Sequence, residues 1–332
     1  MNFESIISDL RNKKYAPVYF LMGDEPYYID KITDFIADNV LSESEKPFNQ
    51  VIVYGKDTDI ATIIDTARRY PMMASYFVVI VKEAQQMKDI DDLIHYVEQP
   101  QPSTLLVIGY KYKILDKRKK LYKSINEKGL LFESKKLYED KIPDWITGYL
   151  KSHNRTVEPK AAFILTENLG NDLSRIAGEL DKLLITLPDE RHITSEHIEK
   201  YIGISKEYNN FELHKALGQK NIIKANRIIY YFSQNQKNNP LTVTITSLYY
   251  YFTRVMLYHT LQDKSAGNAA SVLQVNPFFL KDYETAARNY TRNKLAEIIS
   301  LLREYDMKSK GYVSASIPEG ELLRELIFKI LH

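Results

Sequence analysis

Five short apolar runs alternate with four stretches of helical periodicity in the first part of the chain, and this limits the possible folds more than any other feature. The runs are Pro17–Met22, Gln50–Tyr54, Tyr76–Val81, Thr104–Gly109 and Leu130–Glu133. Between them lie Glu25–Val40, Ile60–Tyr70, Ile90–Glu98 and Arg118–Glu127. The runs are rich in Val, Ile, Tyr and Phe and short, as strands buried on both faces are. Strands joined through helices pair in parallel, with the helices covering both faces of the sheet. The predicted class for this part is α/β.

After Leu137 the strand signals stop. Asp140–His153, which holds the only tryptophan, Trp145, begins a small helical unit that continues through Lys160–Leu169, Asp172–Leu187 and Ser195–Tyr201. Gly170-Asn171-Asp172 reads as a helix break followed by an N-cap, and Thr194-Ser195 opens the next helix. Gly203–Asn209 is polar and reads as a hinge. Helical periodicity then returns in Glu212–Leu217, Ile222–Gln234, Leu241–Leu261, Pro277–Asn289, Arg292–Lys308 and Pro318–Leu331. Gly218, Pro240, Gly267, Pro277, Gly311 and Pro318 punctuate these segments. The Tyr-rich stretch Ser247–Leu261 is aromatic on more than one helical face and is predicted as a core helix. A length of 332 residues suits two or three domains.

Several chemistries are excluded or left without support. There is no cysteine, so disulfides, thiolate catalysis and cysteine-ligated metals are ruled out. The seven histidines form no HxH or HExxH pattern and read as surface or helix-end residues. No G-x-S-x-G elbow is present. We therefore expect no catalytic residue and no bound metal. A net charge of +2 leaves any nucleic-acid affinity to a local patch. No apolar run approaches the about 20 residues that span a bilayer, and the amphipathic N-terminus lacks the apolar core of a signal peptide. A cytoplasmic location is expected.

Two stretches look like nucleotide-binding elements that have lost their chemistry. In GDEPYYID a strand meets a glycine and then a helix, the context of a phosphate-binding loop, GxxxxGK[ST]. With the template set on Gly23, Tyr28 replaces the second glycine, Ile29 the lysine, and Asp30 the metal-binding hydroxyl. Tyr28 crowds the backbone, Ile29 brings no charge, and Asp30 repels phosphate. In VVIVKEAQQM, Val78 to Met87, the pattern is that of a Walker B strand end. Lys82 stands where the metal-binding aspartate belongs, and Glu83 follows it. An ammonium there opposes magnesium, which needs oxygen ligands.

Degenerate forms of both elements, followed by a small helical unit and a helical C-terminal part, resemble the delta-subunit family of the bacterial DNA polymerase III clamp loader. The likeness is carried by YFLMGDEPYYID, PMMASYFVVIVKEAQQM, LGNDLSRIAGELDKL and the late LLREYDMKSKG and LLRELIFKI, in that order across nearly the whole chain. It implies an AAA+-like, P-loop-type α/β domain over residues 1–139, a small helical lid over 140–204 and an all-α collar over 205–332. It also implies a part in DNA replication: binding and opening the sliding clamp, the beta subunit, without hydrolysing ATP and with no cofactor. The implied partners are the clamp, the ATPase and stator subunits of the loader, and primer-template DNA.

By this resemblance Met72 and Met73, in RRYPMMAS, match the apolar pair that enters a pocket on the clamp. The family commonly has leucine and phenylalanine types there, so two methionines are a mild departure, because Met fills irregular apolar pockets. From the residues alone the pair reads as core in front of strand Tyr76–Val81. Lys111–Lys123 holds seven Lys or Arg against one Asp. It reads as a solvated helix face, or in a loader as a contact to DNA or a neighbouring subunit. Lys308, Lys310 and Tyr312 in MKSKGYVS are candidate contacts to a DNA end, phosphates by charge and a base by stacking. Three alternatives stay open: an ATP-inactive stator-type loader subunit, a divergent AAA+ ATPase, and a DNA-binding regulator built on the helical C-terminal part.

Overall fold

The computed structural model describes residues 2–312 and 317–332. Contacts divide the chain into two compact units, one ending at Leu137 and the other starting at Tyr138.

The first unit is built on a five-stranded parallel sheet: β1 (Val18–Gly23), β2 (Gln50–Tyr54), β3 (Phe77–Lys82), β4 (Thr104–Lys111) and β5 (Leu130–Ser134), in the spatial order β2-β3-β4-β1-β5. All five predicted strands are present, displaced by at most two residues. Successive side chains point to opposite faces, which explains their unbroken apolar character. Tyr19, Leu21, Ile80 and Val107 enter the core on one face with Ile29, Ile32 and Ile36 of α2 (Pro26–Asn39) and Ile6 of α1 (Phe3–Arg11). Val18, Phe20, Met22, Val79 and Ile108 enter the other. There they meet Ile63 and Ile64 of α4 (Ile60–Ala67) and Leu121 and Ile125 of α6 (Lys120–Lys128). Two one-turn helices, α3 (Lys46–Asn49) and α5 (Ile94–Val97), complete the unit. The helix predicted over Ile90–Glu98 is divided: Ile90–Leu93 is 3-10, and only Ile94–Val97 is α.

The second unit begins with α7 (Ile142–Ser152), α8 (Pro159–Leu169), α9 (Leu173–Thr186) and α10 (Ser195–Ile202). It is not purely helical. Thr156–Val157 and His192–Ile193 pair in parallel as β6 and β7, each too short to leave a period in the sequence. The remaining helices are α11 (Asn210–Gly218), α12 (Ile222–Gln234), α13 (Leu241–Thr260), α14 (Ala266–Leu273), α15 (Leu280–Asn289), α16 (Arg292–Ser309) and α17 (Glu319–Leu331). Helix α14 was not predicted. Its small residues, AGNAASVL, carry a weak apolar stripe, yet Ala269 and Leu273 are buried. Helix α13 is a core helix as expected, contributing Ile245, Leu248, Tyr251, Phe252 and Val255 to the largest apolar cluster.

The predicted hinge, Gly203–Asn209, opens on a left-handed Gly203 and lies within the second unit. Across it, Lys160 of α8 pairs with Glu212 of α11 at 2.6 Å, and Lys224 of α12 pairs with the same carboxylate. Burial alone would raise the Glu212 carboxyl, but the two lysines outweigh it and hold the group below the usual range.

Candidate functional site

The turn read from the sequence as a degenerate phosphate loop is short and capped by its own residues. Strand β1 ends at Gly23 and α2 starts at Pro26, leaving only Asp24 and Glu25 between them. The N–H groups at a helix N-terminus form a natural anion site. Here the Glu25 carboxylate, 3% exposed, accepts a hydrogen bond from the Tyr27 N–H at 3.1 Å. Pro26 has no N–H to offer. Gly23 has φ +122°, and a Cβ there would lie 2.0 Å from the Ser134 carbonyl oxygen, so this turn requires glycine. The three substituted positions all belong to α2: Tyr28 packs on Phe3 with ring centres 4.9 Å apart, Ile29 is core, and Asp30 faces a lysine.

That lysine is Lys111, at the end of β4. Its ammonium bridges Asp30 at 2.8 Å and Glu83 at 2.7 Å. Asp30, aligned with the metal-binding hydroxyl of the template, and Glu83, the acidic residue after Lys82, are thus joined by one lysine. Burial opposes the Lys111 charge, but the two carboxylates outweigh it and raise its pKa. Burial likewise pushes Glu83 up, yet its bonds to Lys111 and Gln85 leave it below the ordinary carboxylate range. Lys82 turns instead to Asp34, 3.0 Å away. Sequence reasoning missed Lys111 here because the residue begins a basic run that looks like a surface feature.

Much of that run is neutralised. Lys117 pairs with Glu133, Arg118 with Asp116, Lys119 with Asp91 and Lys120 with Glu98. With Lys111, five of the seven basic residues have a carboxylate partner, so little of the formal charge stands free for phosphate.

Met72 and Met73 lie outside the core. Helix α4 stops at Ala67, three residues short of the prediction, and residues 68–76 cross the surface as a series of bends before β3. Met72 is 63% exposed and Met73 103%. Met73 has φ +54°, a left-handed conformation that a non-glycine residue adopts at a cost. The backbone of Met72 is held from below by Asn49, the last residue of α3, which is fully buried. Asn49 Oδ1 accepts from the Met72 N–H at 2.6 Å, and Asn49 Nδ2 donates to the Met72 carbonyl at 2.9 Å.

Of the late candidates, Lys308 pairs with Glu304 at 2.6 Å and Lys310 with Asp306 at 2.7 Å, while Tyr312 is 80% exposed. Residues 313 and 314 of that stretch lie outside the described residues.

One histidine departs from expectation. His214 is not at the surface: it is buried in α11, stacked on Tyr251 with ring centres 4.6 Å apart. Its Nε2 lies 3.1 Å from Ser247 Oγ, which donates to Glu167 at 3.0 Å. Burial, then the charge of Arg254, pushes the imidazole down to about 3. Burial also pushes the Glu167 carboxyl up, against hydrogen bonds from Ser247 and Asn210. Both shifts favour neutral groups, the outcome expected of a satisfied interior cluster. Among the described residues no group of three or more His, Cys, Asp or Glu is placed to hold a metal, and no helix is long and apolar enough to cross a membrane.

Comparison with known proteins converges on one family. A family model described as DNA polymerase III, delta subunit, matches residues 19–135, and one for the C-terminal domain of that subunit matches residues 207–321. DNA polymerase III subunit delta of Bacillus subtilis (strain 168) is 27% identical over 313 residues, covering 90% of either chain. The solved Bacillus subtilis DNA clamp loader delta protein superposes with a TM-score of 0.54 at 24% identity, over 99% of both chains.

Proposed function

The chain belongs to the DNA polymerase III delta-subunit family, and we propose that it binds the sliding clamp through Met72 and Met73 and holds the ring open. The observation that carries this reading is the exposure of two adjacent methionines on a backbone fixed from beneath. A soluble chain has little reason to display such a pair in a pinned geometry unless a partner covers it. The mechanism needs no bond chemistry. A ligand shifts a conformational equilibrium only by its different affinities for the two states. Contacts made better to the open ring than to the closed one therefore hold it open. Purified chain mixed with purified clamp, without nucleotide, should form a complex that survives gel filtration. Separate elution at micromolar concentrations of both would remove the reading.

The ATPase sites belong, in this proposal, to other subunits of the loader. The Glu25 carboxylate at the α2 N-terminus and the Lys111 ammonium between Asp30 and Glu83 already fill the places of phosphate and metal. Calorimetry with magnesium and ATP should give no stoichiometric micromolar binding; a saturable one-to-one isotherm would overturn this. The proposal also places the chain in the cytoplasm, in contact with the other loader subunits and with primer-template DNA. Lys308, Lys310 and Tyr312 remain the proposed DNA contacts.

The division into a domain over 1–139, a lid over 140–204 and a collar over 205–332 is likewise proposed. Brief trypsin treatment should cut first near Lys206 and release a stable C-terminal helical fragment. First cleavage inside Ile222–Gln234 would count against these boundaries.

A further inference from the structure

We propose that Asn49 is the positioning residue of the clamp-binding site: it straps the backbone of Met72 and so sets the direction in which Met72 and Met73 project. This inference rests on the reading of those methionines as clamp contacts. Asn49 lies 23 residues before Met72 in the chain and reaches it from another element. Its amide is fully engaged. Oδ1 accepts from the Met72 N–H, and Nδ2 donates to both the Met72 carbonyl at 2.9 Å and the Glu45 carbonyl at 3.1 Å. A buried polar side chain must be satisfied, and this one spends two of its three bonds on the N–H and C=O of a single residue, Met72, in an otherwise irregular segment. The neighbours of Met72 give no comparable hold. Arg68, Arg69 and Tyr70 are exposed before it, and Met73 stands in left-handed backbone after it. An unfavourable φ persists only where its surroundings fix it, and the Asn49 strap lies immediately before Met73.

The consequence is preorganisation. Without the strap the segment samples other conformations, and apparent affinity falls by the fraction of time the binding-competent one is populated. If that fraction drops to about a tenth, clamp affinity drops about tenfold. Asn49→Ala removes all three hydrogen bonds. Asn49→Asp keeps the volume but turns a donor into an acceptor facing two carbonyl oxygens, so it loses the strap without opening a cavity. Both variants are measured on the full chain, with clamp affinity referred to the folded fraction.

We expect about tenfold weaker binding in each, and faster native-state trypsin cleavage after Arg68 or Arg69. We also expect almost no further loss when Asn49→Ala is added to Met72→Ala/Met73→Ala, because Asn49 acts through the pair. Unchanged affinity and cleavage in both Asn49 variants, alongside a large loss in the methionine double variant, would overturn the role of Asn49 while leaving the clamp site standing. An undiminished effect of Asn49→Ala on the double-variant background would also overturn it, since a merely structural residue behaves that way. Failure of the methionine double variant to lose clamp binding would remove the underlying reading instead.

Discussion

Replacing Met72 and Met73 together with alanine weakens clamp binding at least ~100-fold and leaves the melting temperature nearly unchanged. Burying one such side chain in a partner's apolar pocket contributes roughly 1.5–3 kcal/mol. Since tenfold in affinity corresponds to about 1.4 kcal/mol, loss of the pair reaches ~100-fold even near the low end of that range. The stability side follows from exposure. Residues that project into water contribute little to folding, and surface substitutions usually stay within about 0.5 kcal/mol. Had the pair been core, each Met→Ala change would cost about 2–5 kcal/mol. Thermal melting and clamp titration on the same variant separate the two outcomes. A large drop in melting temperature, with unchanged affinity among the folded molecules, would return Met72 and Met73 to the core and leave clamp binding without its site.

The sheet was legible because burial on both faces writes itself as short unbroken apolar runs, and all five were found. The long helices were legible through their apolar period. What escaped detection was short or compositionally plain. The two-residue strands β6 and β7 span less than one repeat of any pattern, and α14 packs small residues whose apolar signal is weak. At the candidate site the sequence pointed to Met72 and Met73 through family likeness, but the residues that hold or close the sites are contributed across the chain. Asn49 reaches Met72 from α3, and Lys111 reaches Asp30 and Glu83 from the end of β4. Hydrogen bonds and ion pairs between distant residues leave no period to read. The same holds for His214, whose helix has apolar residues on several faces, so that nothing in its spacing marks the imidazole as interior.

That buried imidazole has a pH signature. His214 titrates at about 3 in the folded chain, well below its ordinary 6.5, because burial and the nearby Arg254 disfavour the charged form. Between those two values the unfolded chain binds the extra proton and the folded chain does not. Stability therefore rises with pH through this window, and the contribution is lost as pH falls from 6.5 towards 3. The slope approaches about 1.4 kcal/mol per pH unit for one fully titrating group, or about 2 kcal/mol between pH 6.5 and 5. Glu167, on the other side of Ser247, works in the opposite sense. Its folded pKa is raised, so just above the ordinary carboxylate value the folded chain holds the extra proton and acid favours folding. Trp145 lies in the same compact unit as both groups and is the only tryptophan, so its fluorescence follows the relevant transition. In urea titrations at pH 7 and pH 5, His214→Gln should lose part of the acid sensitivity of the natural chain, and Glu167→Gln should increase it. Parallel pH dependence in the natural chain and His214→Gln would show that folding leaves the imidazole pKa unchanged, so that burial does not hold it neutral.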